Sequence, residues 1–207
     1  MNYFVTGTDT AVGKTYVTSL LTRALRRAGL DTVALKPICC GSREDVEALC
    51  EESQNEISPD ACNPIWLQTP VAPLVAARKE QRELDLESLM PWFIHHRSRR
   101  RSLLIEGVGG WLVPLSARTT VADLAKLFGL PILLVISNRL GCLNHTLLTI
   151  ESIRARGLSC RGLVLNTLPG LQTEATKSNR QALEEICDVP ILFDIHPDQK
   201  EIELAVA

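Results

Sequence analysis

Two apolar rhythms alternate along the chain. Continuous apolar runs occupy residues 3–6, 32–36, 102–106, 131–136, 162–166 and 190–193. Unbroken runs of this length predict strands of a parallel sheet covered on both faces, since a half-exposed strand would alternate. Between them, apolar residues recur at helical spacing. Val17, Leu20, Leu21, Ala24, Leu25 and Ala28 form one such face, stopped by Gly29. Leu86, Leu89, Met90, Phe93 and Ile94 form a second; Val121, Leu124, Ala125 and Phe128, before Gly129 and Pro131, a third. A fourth uses Leu143, Leu147, Ile150 and Ile153, and a fifth spans about residues 173–187. Strand and helix in regular alternation predict an α/β fold: a doubly wound, mostly parallel sheet flanked by helices, in a single domain over residues 1–207. The segment 53–73 holds Pro59, Pro64, Pro70 and Pro73 and reads as a long loop, a feature that in compact enzymes often serves function.

With 207 residues and 45% hydrophobic content, the chain can bury one core and is too short for two ordinary ones. Net charge is -2, which gives no argument for nucleic acid or an acidic membrane surface, and neither is expected as a partner. One basic run, His95-His96-Arg97-Ser98-Arg99-Arg100-Arg101, reads as a solvated helix end whose cations complement the dipole, with an anion or polynucleotide patch as the other reading. The longest apolar run, residues 130–136, is far short of a membrane span. No basic segment followed by an apolar one opens the sequence, so no export signal is expected. Seven cysteines, irregularly spaced and without a C-x-x-C pair, then read as reduced thiols of a cytoplasmic protein.

The strongest chemical motif is Gly7-Thr8-Asp9-Thr10-Ala11-Val12-Gly13-Lys14-Thr15, placed where the first strand meets the first helix. In that setting backbone N–H groups wrap a polyphosphate. Gly13 permits close approach, Lys14 should reach the β- and γ-phosphates, and the Thr15 hydroxyl should hold Mg²⁺. Five residues separate Gly7 from Gly13, where the usual P-loop has four. Asp9 stands where partition-type ATPases carry an extra lysine, which argues against that group.

Ligands of open α/β sheets gather at the carboxyl ends of strands. The second strand ends at Lys36-Pro37, where a cation could neutralise a carboxylate, a carbamate or a transferring phosphoryl group, or simply be solvated. The third ends at Glu106, followed by Gly107, Gly109 and Gly110, the place of a second Mg²⁺ anchor in P-loop enzymes. Asp45, at a helix start, suits either a further metal ligand or an acid favoured by the helix dipole. Beyond the fourth strand, Arg139-Leu140-Gly141-Cys142-Leu143-Asn144-His145 opens a helix whose free N–H groups make an anion site. Cys142 is expected to pack or line a pocket, and His145 to face a partner or cap locally. Asn166, at the fifth strand tip, offers donors and an acceptor to a base edge or serves a turn.

These blocks together, with Trp111, Pro114 and Leu115 after the glycines, resemble the dethiobiotin synthetases over about residues 2–166, and more weakly through Asp194-Ile195-His196-Pro197. The long P-loop is normal for that family, and Leu140-Gly141-Cys142-Leu143-Asn144-His145 is its most specific block here. The resemblance implies a P-loop NTPase-like enzyme, a cyclo-ligase using ATP and Mg²⁺. It would carboxylate 7,8-diaminononanoate (diaminopelargonate) with CO₂ and close it to dethiobiotin, releasing ADP and phosphate. Asp9, Thr10, Ala11, Val12, Gly13, Lys14 and Thr15 would bind nucleotide, Asn166 would contact adenine, and Thr15, Asp45 and Glu106 would hold the metal. Lys14, Lys36 and Thr10 would be catalytic. Thr10, Lys36 and Cys40 would meet the substrate, whose carboxylate would bind Gly141, Cys142, Leu143 and Asn144 across a homodimer interface. Three positions depart from the family pattern: Ala11 for a common Glu, Cys40 for the usual Ser, and Leu74 for a common His. A related amide ligase of cobalamin synthesis carries a glutaminase domain for which 207 residues leave no room. The alternative is a non-catalytic P-loop nucleotide-binding module.

Overall fold

The computed structural model describes residues 1–99 and 101–204. In chain order its elements are β1 (Asn2–Gly7), α1 (Lys14–Arg27), β2 (Thr32–Leu35), β3 (Ile38–Cys40), α2 (Glu44–Glu52), α3 (Pro59–Cys62), β4 (Ile65–Leu67), α4 (Pro73–Lys79), α5 (Met90–Ser98), β5 (Ser102–Glu106), α6 (Val121–Phe128), β6 (Ile132–Ser137), α7 (Cys142–Ala155), β7 (Cys160–Asn166), α8 (Glu174–Ile186) and β8 (Ile191–Ile195). Six strands form one parallel sheet in the order β2-β5-β1-β6-β7-β8. From β1 the chain builds first to one side and then to the other, so β1 lies where the winding reverses, the place where such sheets bind ligands. Register pairs Val5 with Glu106 and Leu35 with Ile105. The tips of β1, β2 and β5 therefore end at one edge.

The inner strands are buried because both faces are covered, whereas the edge strand β8 leaves Leu192 42% exposed. Phe4, Val5, Leu103, Leu104, Ile105 and residues 132–136 are at most 2% exposed and join one continuous core. Helix α1 presents Val17, Leu20, Leu21 and Leu25 to it, the spacing read from the sequence. Thr120 and Asp123 form a capping box at the start of α6, and Gly129 (φ 62°) ends that helix. Phe128 then stacks on Phe93 from α5, with ring centroids 4.4 Å apart, and tilts against Phe4 at 6.3 Å.

All six expected strands of the main sheet are present, shifted by one or two residues at some ends. Three expectations need correction. The segment 53–73 is not loop throughout: Ser58 caps α3, and β4 pairs with β3 in a small parallel sheet of its own. The helical face at 86–94 begins as a 3-10 turn at Glu87–Leu89 before α5. The basic run is not a uniformly solvated helix end either. Arg101 pairs with Asp31 and Glu56, and His96 is buried against Trp92. Arg100, in the same run, lies outside the described residues.

Burial, and then neighbouring His95, hold the His96 imidazole down to about 4. It stays neutral in the fold over a range where an unfolded chain protonates it, so stability falls as pH drops from about 6.5 towards 4. The expected loss is about 2–3 kcal/mol. Urea unfolding of the wild type and His96→Leu at pH 7 and pH 4.5 should show the wild type losing that much more than the variant.

Candidate active site

Between β1 and α1 the chain turns through two residues of left-handed backbone, Ala11 (φ 57°) and Gly13 (φ 85°). Such a turn points successive N–H groups into one concavity, which suits an anion. The turn is tied down from three directions. Thr8 N–H donates to the Val135 carbonyl at 3.0 Å, and Trp111 N–H to the Gly7 carbonyl at 3.0 Å. The Asn166 amide donates to the Val12 carbonyl at 2.9 Å. Asn166, only 1% exposed, is thus a clamp on the phosphate loop, a role the strand-tip reading did not supply. Gly13 is required by this contact as well as by its backbone, since a Cβ there would stand 2.2 Å from the Asn166 amide nitrogen. The Asp9 carboxylate accepts from Thr10 N–H at 2.7 Å and faces Arg139 at 3.4 Å, so it shapes the loop's outer side.

Beside the loop, charges meet at the strand tips. The Lys36 ammonium donates to Asp45 Oδ2 at 2.5 Å and to Glu106 Oε1 at 2.6 Å. The Thr15 hydroxyl donates to the same Glu106 Oε1 at 2.8 Å. Glu106 is fully buried, and its Oε2 has no partner among the described residues. The Lys36 backbone is held at both ends: its N–H donates to the Cys62 carbonyl at 3.1 Å, and its own carbonyl accepts from the Asn63 amide at 2.8 Å. Burial alone would favour a neutral Lys36, but Glu106 and Asp45 outweigh it and raise the group above the ordinary lysine value. Burial works against the Asp45 carboxylate too, and Lys36 overcomes it, so Asp45 falls below its usual range. Lys14, 7% exposed, makes no ion pair among the described residues, and burial pulls it below the ordinary lysine value. A buried cation without a counterion, at a helix N-terminus, attracts an anion strongly.

One cleft of about 570 Å³ gathers Thr10, Ala11, Gly13, Lys14, Thr15, Lys36, Cys40, Asp45 and Glu106. Nine of the expected site residues, drawn from five different stretches of chain, therefore share one cavity. Val12 is buried behind the loop, and Asp9 and Asn166 support it from outside the cleft. Gly141, Cys142, Leu143 and Asn144 do not line this cleft. They form the start of α7, where Gly141 adopts φ 91° and Cys142 is 2% exposed, packed as expected. Sequence reasoning missed Tyr16, Val108 and Val113 in the walls, whereas the stretch from Pro70 to Pro73 that closes one side belongs to the proline-rich segment read as functional. The proline cluster was the available signal. Of the glycines after β5, Gly109 lines the cleft, whereas Gly110 lies against the Asp9 backbone, where a Cβ would come within 3.0 Å.

Fold and site together define a P-loop nucleotide-binding enzyme. A family model described as an AAA domain matches residues 1–202. Among solved structures, a MinC:MinD cell division protein complex from Aquifex aeolicus gives a TM-score of 0.60 at 15% identity, covering 96% of this chain and 81% of the other. The cell division ATPase MinD of Pyrococcus furiosus gives 0.55 at 22% identity over 96% and 84%. These likenesses concern the fold alone. The ATP-dependent dethiobiotin synthetase BioD of Akkermansia muciniphila is 40% identical over 205 residues, covering 99% of this chain and 96% of its own. That of Anaeromyxobacter dehalogenans strain 2CP-C is 46% identical over 167 residues, covering 79% and 75%. The chain belongs to the dethiobiotin synthetase family.

The Asn166 clamp makes a direct prediction. Gly13→Ala should drive the amide from the Val12 carbonyl and strain the left-handed turn. Nucleotide affinity, measured by titration calorimetry, should fall by about tenfold or more, roughly the worth of one charge-directed hydrogen-bonding element. The circular dichroism spectrum should stay that of the wild type.

Proposed function

We propose that the cleft at the tips of β1, β2 and β5 carries out ATP-dependent closure of a cyclic urea, converting 7,8-diaminononanoate and CO₂ to dethiobiotin with release of ADP and phosphate. This is the reaction of an ATP-dependent cyclo-ligase in biotin biosynthesis. The observation that carries the site assignment is the pairing of two buried lysines in one cavity. Lys14 has no carboxylate partner among the described residues, and Lys36 sits on two. Such a pair suits a reaction in which two anions must meet.

In this reading one substrate amine adds CO₂ and loses a proton, giving a carbamate. A carbamate oxygen attacks the γ-phosphorus of ATP, and the bond to the ADP oxygen breaks. The second amine then attacks the carbonyl of the resulting carbamic-phosphoric anhydride, loses a proton and expels phosphate as the ring closes. Lys14 and the loop N–H groups hold the β- and γ-phosphates, while Lys36 and the Thr10 hydroxyl face the carbamate and lower its repulsion from the nucleotide. No covalent nucleophile is required. Burial pushes the Cys40 thiol up to about 11, so it meets substrate as a neutral, weak donor. Burial also raises Cys142.

The buried, unpartnered Oε2 of Glu106, with Thr15 and Asp45 beside it, fits a divalent metal through oxygen ligands alone, the donor set that suits magnesium. Magnesium bound there would neutralise charge on the β- and γ-phosphate oxygens. The adenine would come to the tip of β7, where Asn166 has a second N–H and a carbonyl oxygen beyond its clamp on Val12.

We further propose one catalytic domain per chain, acting as a homodimer. Gly141, Cys142, Leu143 and Asn144 lie outside their own chain's cleft, as they would if they served a partner's. Leu140, Leu112 and Leu148 are 84%, 51% and 56% exposed, and the last two share a groove beside Trp111. An apolar face of this kind supports a protein interface. No described helix is long and apolar enough to cross a membrane. Seven free thiols support a cytoplasmic location.

Purified protein given ATP, Mg²⁺, bicarbonate and diaminopelargonate should release phosphate only when the diamine is present. Nucleotide binding without such turnover would instead make the chain a binding module. Lys36→Gln should cut kcat by about 10²-fold or more, since it removes a charge aimed at the reacting anions. An unchanged kcat would sink the assignment. Leu148→Glu should shift sedimentation from dimer to monomer and raise KM for the diamine.

A further inference from the structure

The same two carboxylates that fit the metal also hold an internal cation. Lys36 Nζ reaches Asp45 Oδ2 at 2.5 Å and Glu106 Oε1 at 2.6 Å, with only 4% of the residue exposed. Thr15, the third proposed metal ligand, also donates to Glu106 Oε1. Only Glu106 Oε2 remains without a partner among the described residues. An ammonium that bridges both carboxylates and a divalent ion on their oxygens would stand within a few ångströms of each other. Two cations that close in a buried site repel strongly. From this we infer that Lys36 is an intramolecular competitor of the metal, and that metal entry drives its ammonium off the Asp45–Glu106 pair into the substrate half of the cleft. The inference rests on the reading of Thr15, Asp45 and Glu106 as metal ligands.

The local architecture suits such a swing. The Lys36 backbone is fixed by Cys62 and Asn63, so the strand tip stays in place while four methylenes rotate. Thr10, Cys40, Val108 and Gly109 line the same cavity as the ammonium, so it has space to move into without crossing a wall. The consequence is an order of events. A metal arriving alone must strip Lys36 of its counterions and leave a buried, unpaired ammonium. A metal arriving with a nucleotide, or meeting a carbamate already in the cleft, leaves that ammonium a new anion. Metal affinity is thereby coupled to occupancy by anionic ligands, and by linkage the coupling is reciprocal. It also means that Lys36 is directed to the substrate only once the metal is seated.

The test reads metal binding, not turnover. Free Mn²⁺ is followed by electron paramagnetic resonance as it is titrated into nucleotide-free wild type, Lys36→Met and the double variant Lys36→Met/Glu106→Gln. Lys36→Met should bind Mn²⁺ at least tenfold more tightly than the wild type, and the double variant should lose that gain. Equal affinity in wild type and Lys36→Met overturns the competition while leaving the metal site standing. Binding that Glu106→Gln does not weaken overturns the metal reading, and the competition with it. Should Lys36→Met fail to fold, a crystal structure of the wild type with Mn²⁺ and a non-hydrolysable ATP analogue decides instead. Lys36 Nζ should then lie more than about 4 Å from both carboxylates, beyond ion-pair reach. Ion pairs retained beside a bound metal refute the inference.

Discussion

The structure turns on a cost: charges are buried at the carboxyl edge of a parallel sheet. Glu106 is fully buried, and Lys36 and Lys14 are nearly so. Isolated, each would be strongly disfavoured there. Lys36 offsets the cost by bridging Glu106 and Asp45, and Thr15 adds a hydrogen bond to the same carboxylate. What lacks a direct partner among the described residues is as informative: the ammonium of Lys14 and the second oxygen of Glu106. One calls for an anion and the other for a cation. A metal-bearing polyphosphate supplies both at once.

The fold's task is to hold those groups at fixed separations. Strand register brings the ends of β1, β2 and β5 level, so that Lys36 and Glu106 meet across neighbouring strands. The phosphate loop is kept in its left-handed turn by contacts from three directions, through β6, the segment after β5, and Asn166 at the tip of β7. A second layer of buried amides lies behind that clamp. Asn138 donates to Thr167 at 2.9 Å, and Asn179 donates to Asn138 at 2.8 Å, joining the tips of β6 and β7 to α8. Such satisfied polar networks favour one arrangement over near alternatives, because each broken bond would leave a buried group without a partner. The small β3–β4 sheet plays a similar part on the other flank. It positions Cys40, and Gly41 packs its backbone against Pro70, where a Cβ would come within 2.8 Å.

Much of this was legible along the chain. Mostly apolar runs marked all six strands of the main sheet, because strands covered on both faces leave few polar positions away from their ends, and even the half-exposed edge strand β8 keeps an apolar run. The phosphate loop, Lys36, Asp45 and Glu106 stood out because chemistry at strand ends needs particular residue types at particular junctions. What the sequence left open was decided by partners far away in the chain. The segment 53–73 looked like loop because its short α3 and β4 carry no periodic stretch long enough to read, and β4 exists only by pairing with β3. His96 looked like part of a charged helix end, but packing against Trp92 and the core turned it inward. Asn166 could serve a turn or a base by spacing alone; its bond to Val12, 154 positions away, gave it a clamp's role. The sequence by itself determined which groups could carry the chemistry and that they would sit on strand tips, since both follow from local spacing and side-chain type. Tertiary structure alone decided that Lys36 would bridge two carboxylates while Lys14 would meet none among the described residues, because those depend on distances between residues that no local pattern encodes.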